Sequence, residues 1–535
     1  MSAQFDLAVH RLKGLQLDRA TQLEGLLVLA AFLYLVNVFY CIYLHPLKKV
    51  PGPFPAKFTE LWRTRRYALG GWHQDILDLH RQFGPVVRIS PNEVSIVDKE
   101  GLVRIFGHGK GTRKASLVFT ITLASTWWYD VWKIPGVTES FFSSTDPANH
   151  SFLRKRVATA YSMSSILSVE PKIQAVADAL WLQLDKLADE DTIVDLHDWT
   201  SFFAFDVVGT LGLGEPIGFV HQARDIDGII RTICHNFWRA ANMGNIPGQL
   251  IWINNPITQF IASIVSRGKH ESFAKFQNWM FSHVATRLAE PVGVERDKDL
   301  LDHFISMKER DGSSATPGSA MIEIGNLIGA GADTTSIGIR SVLAQLIVHQ
   351  NDYQRVREEV DNAHATNDGA LPYTVIEKLP YLGACIKEAL RLHPSILWQL
   401  PREAPAEGVQ IAGYHIPSGS AISMSPKAQN RDQSVFGPDA DHWNPERWLV
   451  GKGNSEANIK EMDRFLVTFG YGSRTCVGRN LALVEINKFV AEFCRRYDAS
   501  FVNKDRPYRL VSQWFSYQAD MYIHLSRRRS IAKSE

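Results

Sequence analysis

Residues 321–348 read MIEIGNLIGAGADTTSIGIRSVLAQLIV, with apolar side chains on every side of the helix that this spacing predicts. A helix apolar all round cannot lie on a surface, so the rest of the chain must wrap it. With 535 residues and 45% hydrophobic content there is ample material for a large core. No long Gly/Ser linker, charge block or repeated period follows residue 60, so one large domain is the expected organisation.

Gly325, Gly329 and Gly331 sit inside that helix, each at a cost of about 0.5–1 kcal/mol relative to alanine. They either end one helix and begin another, or let a flat or small ligand approach the backbone. No proline follows Gly331 and the apolar pattern resumes within a few residues, which favours the second account. Asp333, Thr334 and Thr335 come next, where an acid and hydroxyls are expensive unless they bond to something. Two accounts stay open: threonine bonding back to a helix carbonyl, and a relay that passes protons to a ligand lying over the glycine notch.

From Gly25 to Leu44 the chain carries no charge, and Asn37 is its only strongly polar side chain. As a helix this run spans about 30 Å, the thickness of a bilayer's hydrocarbon core. It ends in YLHPLKK with no small-residue cleavage site, which predicts a retained anchor and not a signal peptide. Lys48, Lys49, Lys57, Arg63, Arg65 and Arg66 after the span outweigh Arg11, Lys13 and Arg19 before it, placing the bulk of the protein in the cytosol. VPGPFP at residues 50–55 reads as a stiff spacer that lifts the domain off the membrane. The expected organisation is a short lumenal segment (1–22), a transmembrane anchor (23–44), a proline-rich hinge (45–58) and a catalytic domain (59–535). The sequon Asn149-His150-Ser151 would be glycosylated only in the lumen.

A formal net charge of +2 gives no electrostatic case for nucleic acid. Cys41, Cys234, Cys385, Cys476 and Cys494 are scattered, with no C-x-x-C pair, as fits a reducing compartment. In KEALRLHP, residues 387–394, Glu388 and Arg391 share one helical face. HWNPERW, residues 442–448, sets Arg447 among tryptophans, where a charge is more often buried and partnered, and the three charges are expected to form one network. Between them, LPREAPAEGVQIAGYHIPSGSAISM alternates as short hairpin strands do, with Arg402 near its start.

FGYGSRTCVGRN, residues 469–480, follows a strand-like run ending at Phe469 and precedes an amphipathic helix from about Val477. Strand, glycines and helix also open a dinucleotide-binding unit, but the third glycine of G-x-G-x-x-G falls at Thr475. Cys476 stands at a helix start between Arg474 and Arg479, where dipole and cations lower a thiol's pKa. A single thiolate suffices as metal ligand when the cofactor brings four equatorial ligands of its own, as haem does, and thiolate-ligated haem is an established arrangement.

In this order the motifs closely resemble the cytochrome P450 family. FGYGSRTCVG matches its cysteine-loop pattern, AGADTT its oxygen-activating helix, and EALR with PERW its Glu-Arg-Arg framework. The resemblance covers essentially the whole chain and implies the cytochrome P450 fold, mainly α with small β-sheets (α+β), behind one transmembrane helix. It implies haem b as cofactor and Cys476 as the axial ligand of its iron. Phe469 would pack beside that sulfur, with Gly470, Gly472 and Gly478 letting the backbone approach it. Arg474, Arg402 and Arg154 would bind haem propionates, although His150 stands where the family commonly has tryptophan before that last arginine. Ala330 and Gly331 would line the oxygen notch, Asp333 and Thr334 would deliver protons, and Glu388, Arg391 and Arg447 would form the framework.

The implied activity inserts one oxygen atom from O2 into a lipophilic small molecule, by hydroxylation, epoxidation or a related oxidation, using NADPH-derived electrons. No flavin or nicotinamide module is legible, so the resemblance implies NADPH-cytochrome P450 reductase as a separate partner, with cytochrome b5 as a second donor. Lys460, Arg464, Arg479, Lys488, Arg495 and Arg496 offer a basic face for it. The spacing around NRDQSVFGPDADHWNPERWL is similar to fungal microsomal members of the pisatin demethylase type. That implies secondary-metabolite biosynthesis at the endoplasmic reticulum membrane, with the catalytic domain facing the cytosol. The rival readings are a haem-thiolate isomerase or dehydratase that needs no external electrons, and a non-catalytic haem sensor. Phe119, Trp127, Trp128, Tyr129, Trp132, Leu397, Trp398, Trp514 and Phe515 are candidates for an apolar pocket.

Overall fold

The computed structural model describes residues 19–109, 127–133, 139–246, 255–258, 260, 270–290, 297–367, 369–451 and 453–528. The helices that position the site are α1 (Arg19–Phe39), α2 (Pro147–Val157), α3 (Leu196–Leu213), α4 (Ile229–Met243), α5 (Pro317–Val348), α6 (Pro380–Leu392) and α7 (Arg479–Arg496).

The predicted central helix is α5, unbroken over 32 residues. Thr316 caps its start by accepting the Ser319 N–H, and Pro317 occupies the first turn, where no N–H is needed. The glycines do not end it. Two of them let neighbouring helices come close: a Cβ on Gly329 would lie 2.6 Å from the Phe237 ring of α4, and one on Gly331 would lie 3.2 Å from Val208 of α3. Helix α3 gives way in turn, since a Cβ on Gly212 would meet Leu327 at 2.9 Å. Both α3 and α5 are apolar nearly all round, and their mutual burial forms the centre of the largest core cluster.

The sheets are small. The largest has strands β1 (Val86–Ser90), β2 (Glu93–Ile96), β3 (Arg402–Glu403) and β4 (Ala421–Ser423), in the order β1-β2-β4-β3. Only the β2/β4 pair is parallel, with Glu93 opposite Ala421. The antiparallel partnership of Arg402 with Ile422 carries Arg402 inward. The other predicted hairpin pairs Val409–Ile411 with Tyr414–Ile416. A strand up to Phe469 does not form. Helix Glu456–Phe465 ends instead in an irregular run, because the Val467 N–H donates to Asn430 Oδ1 (2.9 Å) and not to a neighbouring strand.

The N-terminal apolar helix is continuous from Thr21 to Leu44, long and apolar enough to cross a membrane, with a mean hydropathy of 2.3 and only 6% of its most apolar window buried. Its last turn enters the domain. Arg88 of β1, fully buried, donates to Cys41 O (3.1 Å), Lys57 O (3.1 Å) and Pro91 O (2.7 Å). Leu47 and Val50 are buried, and a Cβ on Gly52 would lie 2.2 Å from Arg88 O. The proline-rich segment therefore lies against β1, where the sequence suggested a spacer standing between domain and membrane.

Candidate functional site

The loop from Val467 to Gly478 carries Cys476 to the start of α7. Its closure is local: Cys476 N–H donates to Phe469 O (2.7 Å), Gly470 N–H to Val467 O (2.9 Å) and Thr475 N–H to Gly472 O (3.1 Å). Gly470 (φ 81°) and Gly472 (φ 66°) adopt left-handed backbone, and a Cβ on Gly472 would sit 1.9 Å from Phe106 O. Gly478 differs: its φ is −82°, and a Cβ there would meet Cys476 Sγ and Tyr161 at an ordinary 4.0 Å. The Phe469 ring packs against the core and lies under the Arg479 guanidinium, 5.8 Å from ring centroid to Cζ.

Behind the sulfur stand the N–H groups of Gly478 and Arg479, which start α7 and have no partner within the helix. These donors, with the Arg154 and Arg479 charges, pull the thiol pKa down, but burial outweighs them and the net shift is upward. The depressed pKa expected from sequence is thus not reached by the protein's own groups. The side chain is nevertheless exposed, so the sulfur is surrounded by protein and still reachable from one side. Donors behind and an open face in front suit a metal ligand, because a coordinated cation removes the thiol proton outright.

Three arginines converge nearby. Arg402 donates to Tyr129 Oη (3.0 Å), Leu400 O (3.1 Å) and Pro401 O (3.1 Å). Arg474 donates through Nη1 to Ser144 O (2.9 Å), while its buried Nη2 has no partner. Burial, then the charge of Arg402, and more weakly that of Arg154, lower the Arg474 pKa to about 10. Arg154, in α2, is likewise lowered by burial and feels the Cys476 sulfur. Among the described residues none of the three forms an ion pair, and Asp146 acts on Arg474 only at longer range. Desolvated cations that repel one another are costly without an anion. The group fits a ligand carrying carboxylates beside Cys476.

Helix α5 contributes a face. Ala330 is exposed, and Asn326 and Thr334, one turn to either side, are half-buried within a helix otherwise mostly enclosed. Thr334 Oγ1 donates to Ala330 O (2.7 Å), the back-bonded arrangement, and Ser395 Oγ donates to Thr334 O (2.8 Å). Asp333 points elsewhere. It is buried, accepts from the Cys234 thiol at 3.2 and 3.4 Å, and burial raises its pKa to about 6. Gly331 is half-buried and turned toward Val208. Sequence reading paired Asp333 with Thr334; the structure puts them on different faces.

Glu388, Arg391 and Arg447 are brought together. Arg391 grips Glu388 through Nε and Nη2 (both 2.8 Å), and Arg447 Nε adds a bond at 3.0 Å. Trp448 Nε1 (2.9 Å) and the Asn444 N–H (3.0 Å) complete the carboxylate's shell. Arg391 Nη1 donates to Asn430 O (2.8 Å), and the Asn430 side chain holds Val467 N–H and Thr468 Oγ1 (3.0 Å). The ion network thereby reaches the cysteine loop. Sequence reasoning missed Asn430 and Cys234, which belong to no motif, and Trp448, whose place beside Arg447 was the available signal.

Most aromatic candidates pack with one another. Trp128, Tyr129, Leu397, Trp398, Trp514 and Phe515 are buried in one cluster, with Trp132 and Phe237 half-buried at its edge. Phe237 connects it to α5 at Gly329. Phe119 and the Trp127 side chain lie outside the described residues. The supposed basic face is largely neutralised: Lys488 pairs with Glu170 (2.6 Å), and Arg495 and Arg496 pair with Glu492 (2.6 and 2.5 Å).

Fold and site together give the chain an exposed thiol at a helix start, three arginines without an ion pair among the described residues, and a central helix with one open face. Residues 50–519 match the Cytochrome P450 family model, and the chain belongs to that family. Cytochrome P450 monooxygenase mpaDE of Penicillium roqueforti (strain FM164) is 32% identical over 509 residues, covering 93% of this chain and 57% of its own length. The chain thus spans little more than half of that relative. Pisatin demethylase of Fusarium vanettenii is 30% identical over 476 residues, 89% of this chain and 90% of its own. The solved structure of retinoic acid bound cyanobacterial CYP120A1 superposes with a TM-score of 0.67 at 20% identity, covering 87% of this chain and 96% of that one, a likeness of fold. Family membership implies haem.

Proposed function

We propose that this chain is a haem-thiolate monooxygenase that inserts one oxygen atom from O2 into a lipophilic small molecule in fungal secondary metabolism. The observation that carries the reading is Cys476, a single thiol backed by two helix-start N–H groups and open on its other side. Cys476 would bind the iron of haem b, and Arg154, Arg402 and Arg474 would hold its propionates. Bound there, haem supplies oxygen activation, with thiolate donation favouring O–O cleavage.

The chain's own groups do the rest. The Gly478 and Arg479 N–H groups stabilise negative charge on sulfur, and the network from Glu388 through Asn430 fixes the loop that presents it. Thr334 places a hydroxyl on the open face of α5. Asp333, with its pKa near neutrality, can hold a proton and release it. A hydroxyl on the open face and a titratable acid next to it in sequence support oxygenation over a haem-thiolate isomerase or a sensor, neither of which needs protons delivered.

The apolar N-terminal helix and the charge asymmetry around it support a microsomal enzyme at the endoplasmic reticulum. There NADPH-cytochrome P450 reductase, with cytochrome b5 as a second donor, would supply electrons from the cytosol. Microsomes carrying the chain and a fungal reductase, given NADPH, isotope-labelled O2 and a lipophilic metabolite extract, test this. A product gaining one labelled oxygen is expected; a rearranged product formed equally without NADPH would contradict the proposal.

A further inference from the structure

Asp333 is buried at 1% exposure, and among the described residues its carboxylate has one hydrogen-bond donor, the thiol of Cys234 on α4. Helix geometry explains the meeting. Residues 329 and 333 stand one turn apart on α5, as 234 and 237 do on α4, and Phe237 already packs on Gly329. The open line through Asn326, Ala330 and Thr334 lies about 100° around the helix from that contact. Cys234 itself is only partly buried.

Two further groups face the pair. Arg340 acts on Asp333 through its charge, but its hydrogen bonds go to His197 O (3.0 Å), Thr200 Oγ1 (2.8 Å), Ser201 Oγ (3.1 Å) and Gln518 Oε1 (3.3 Å). The buried Tyr517 hydroxyl makes no well-formed hydrogen bond, although it lies close enough to the sulfur to influence it. Neither replaces the thiol as a donor to the carboxylate.

The geometry points to Cys234 as a positioning residue for Asp333: its thiol holds the carboxyl on the α4 side of the central helix, away from Thr334, and the acid must leave that thiol to serve the open face. This inference rests on the monooxygenase reading. A thiol suits the role because it is a weak, neutral donor, whereas an arginine or lysine would lock the carboxylate in a strong charge-assisted pair. It also leaves the acid free to take up a proton near neutral pH, as the pKa of about 6 indicates.

The test uses the full-length, haem-loaded enzyme and two readouts. The first is the infrared S–H stretching band of Cys234, identified as the band missing in Cys234→Ser and in Cys234→Ala. Asp333→Asn should shift this band toward the frequency of a weaker hydrogen bond; a band that stays in place overturns the proposal even if Cys234→Ala fails to fold. The second is hydrogen peroxide formed per NADPH consumed, with reductase and O2 as the only co-substrates, in H2O and D2O. There O2 takes two electrons from NADPH and two protons. Cys234→Ala should raise peroxide formation by up to about tenfold, the factor carried by a hydrogen bond to a charged group, and weaken the solvent isotope effect. Cys234→Ser, which keeps a donor, should stay within about twofold of wild type. Equal behaviour of Cys234→Ala and wild type contradicts the proposal. Both variants should keep the thiolate-type carbon monoxide spectrum, so a failure here is distinct from a failure of the haem-thiolate assignment.

Discussion

Two arginine clusters, one buried and the other buried at Arg402 and half-buried at Arg154 and Arg474, differ in one respect. Arg391 and Arg447 converge on Glu388, whose two oxygens accept from both guanidinium groups, an indole and a backbone N–H. Arg154, Arg402 and Arg474 converge with no carboxylate in bonding reach among the described residues, and Arg474 keeps an unpartnered nitrogen. A satisfied network holds the protein to itself. An unsatisfied one of the same chemistry stores affinity for something that arrives later, and the sign of its excess charge says that the arrival is anionic.

The most damaging break in that comparison is Glu388→Gln. It leaves two buried guanidinium groups without their carboxylate, a loss of about 3–5 kcal/mol, and the chain should fail to fold or to load haem. Soluble yield and bound haem check it, and a stable, fully loaded variant would remove the framework role.

Asp333 is a third kind of buried charge, one that burial tends to neutralise. Its folded pKa of about 6 lies above the ordinary 3.8, so between these values the folded state keeps a proton that the unfolded chain has released. Its contribution is therefore fully present below the unfolded pKa and is lost as pH rises through about 6. Asp333→Asn should flatten the stability–pH curve in this window by up to about 3 kcal/mol, as denaturant titrations at pH 4 to 7 would show.

On the unsatisfied side, Arg474→Gln should behave opposite to Glu388→Gln. Apoprotein stability should hold or rise slightly, while haem dissociation into a scavenger protein quickens about tenfold or more, as for a lost charge-assisted bond of about 1.5–3 kcal/mol. If the apoprotein falls as far as in Glu388→Gln, the two clusters are not different in kind. The smallest effect is expected at Gly478→Ala, which needs neither positive φ nor a clash with protein, at under about 1 kcal/mol in the apoprotein. Gly472→Ala, forced into Phe106 O, is its severe counterpart, and thermal melts of the two apoproteins separate them.

How much of this was legible in the sequence follows from the range of the forces. The length of α5, the N-terminal apolar helix and the hairpins around Arg402 are set by local periodicity, and as elements they read correctly. The convergence of Glu388 with Arg447 is a long-range contact, but the tryptophans beside Arg447 advertised burial, and Trp448 donates to the same carboxylate. The run before Phe469 looked like a strand because it is apolar and short, and nothing local could reveal that Asn430 takes its N–H. Asp333 and Thr334 are adjacent in sequence, yet successive helical residues point about 100° apart, so adjacency misled about a shared face. Cys234 gave no signal at all, since a lone cysteine on an apolar helix is ordinarily core.

The thiolate at Cys476 carries the proposed chemistry. The reduced, carbon monoxide-bound absorption spectrum tests it directly in the full-length wild type, Cys476→Ala and Cys476→His. Wild type should show the shifted band of thiolate-ligated haem, Cys476→Ala should lack it, and Cys476→His should move it to the position seen in imidazole-ligated haem proteins. An unchanged thiolate band in Cys476→Ala would contradict the assignment.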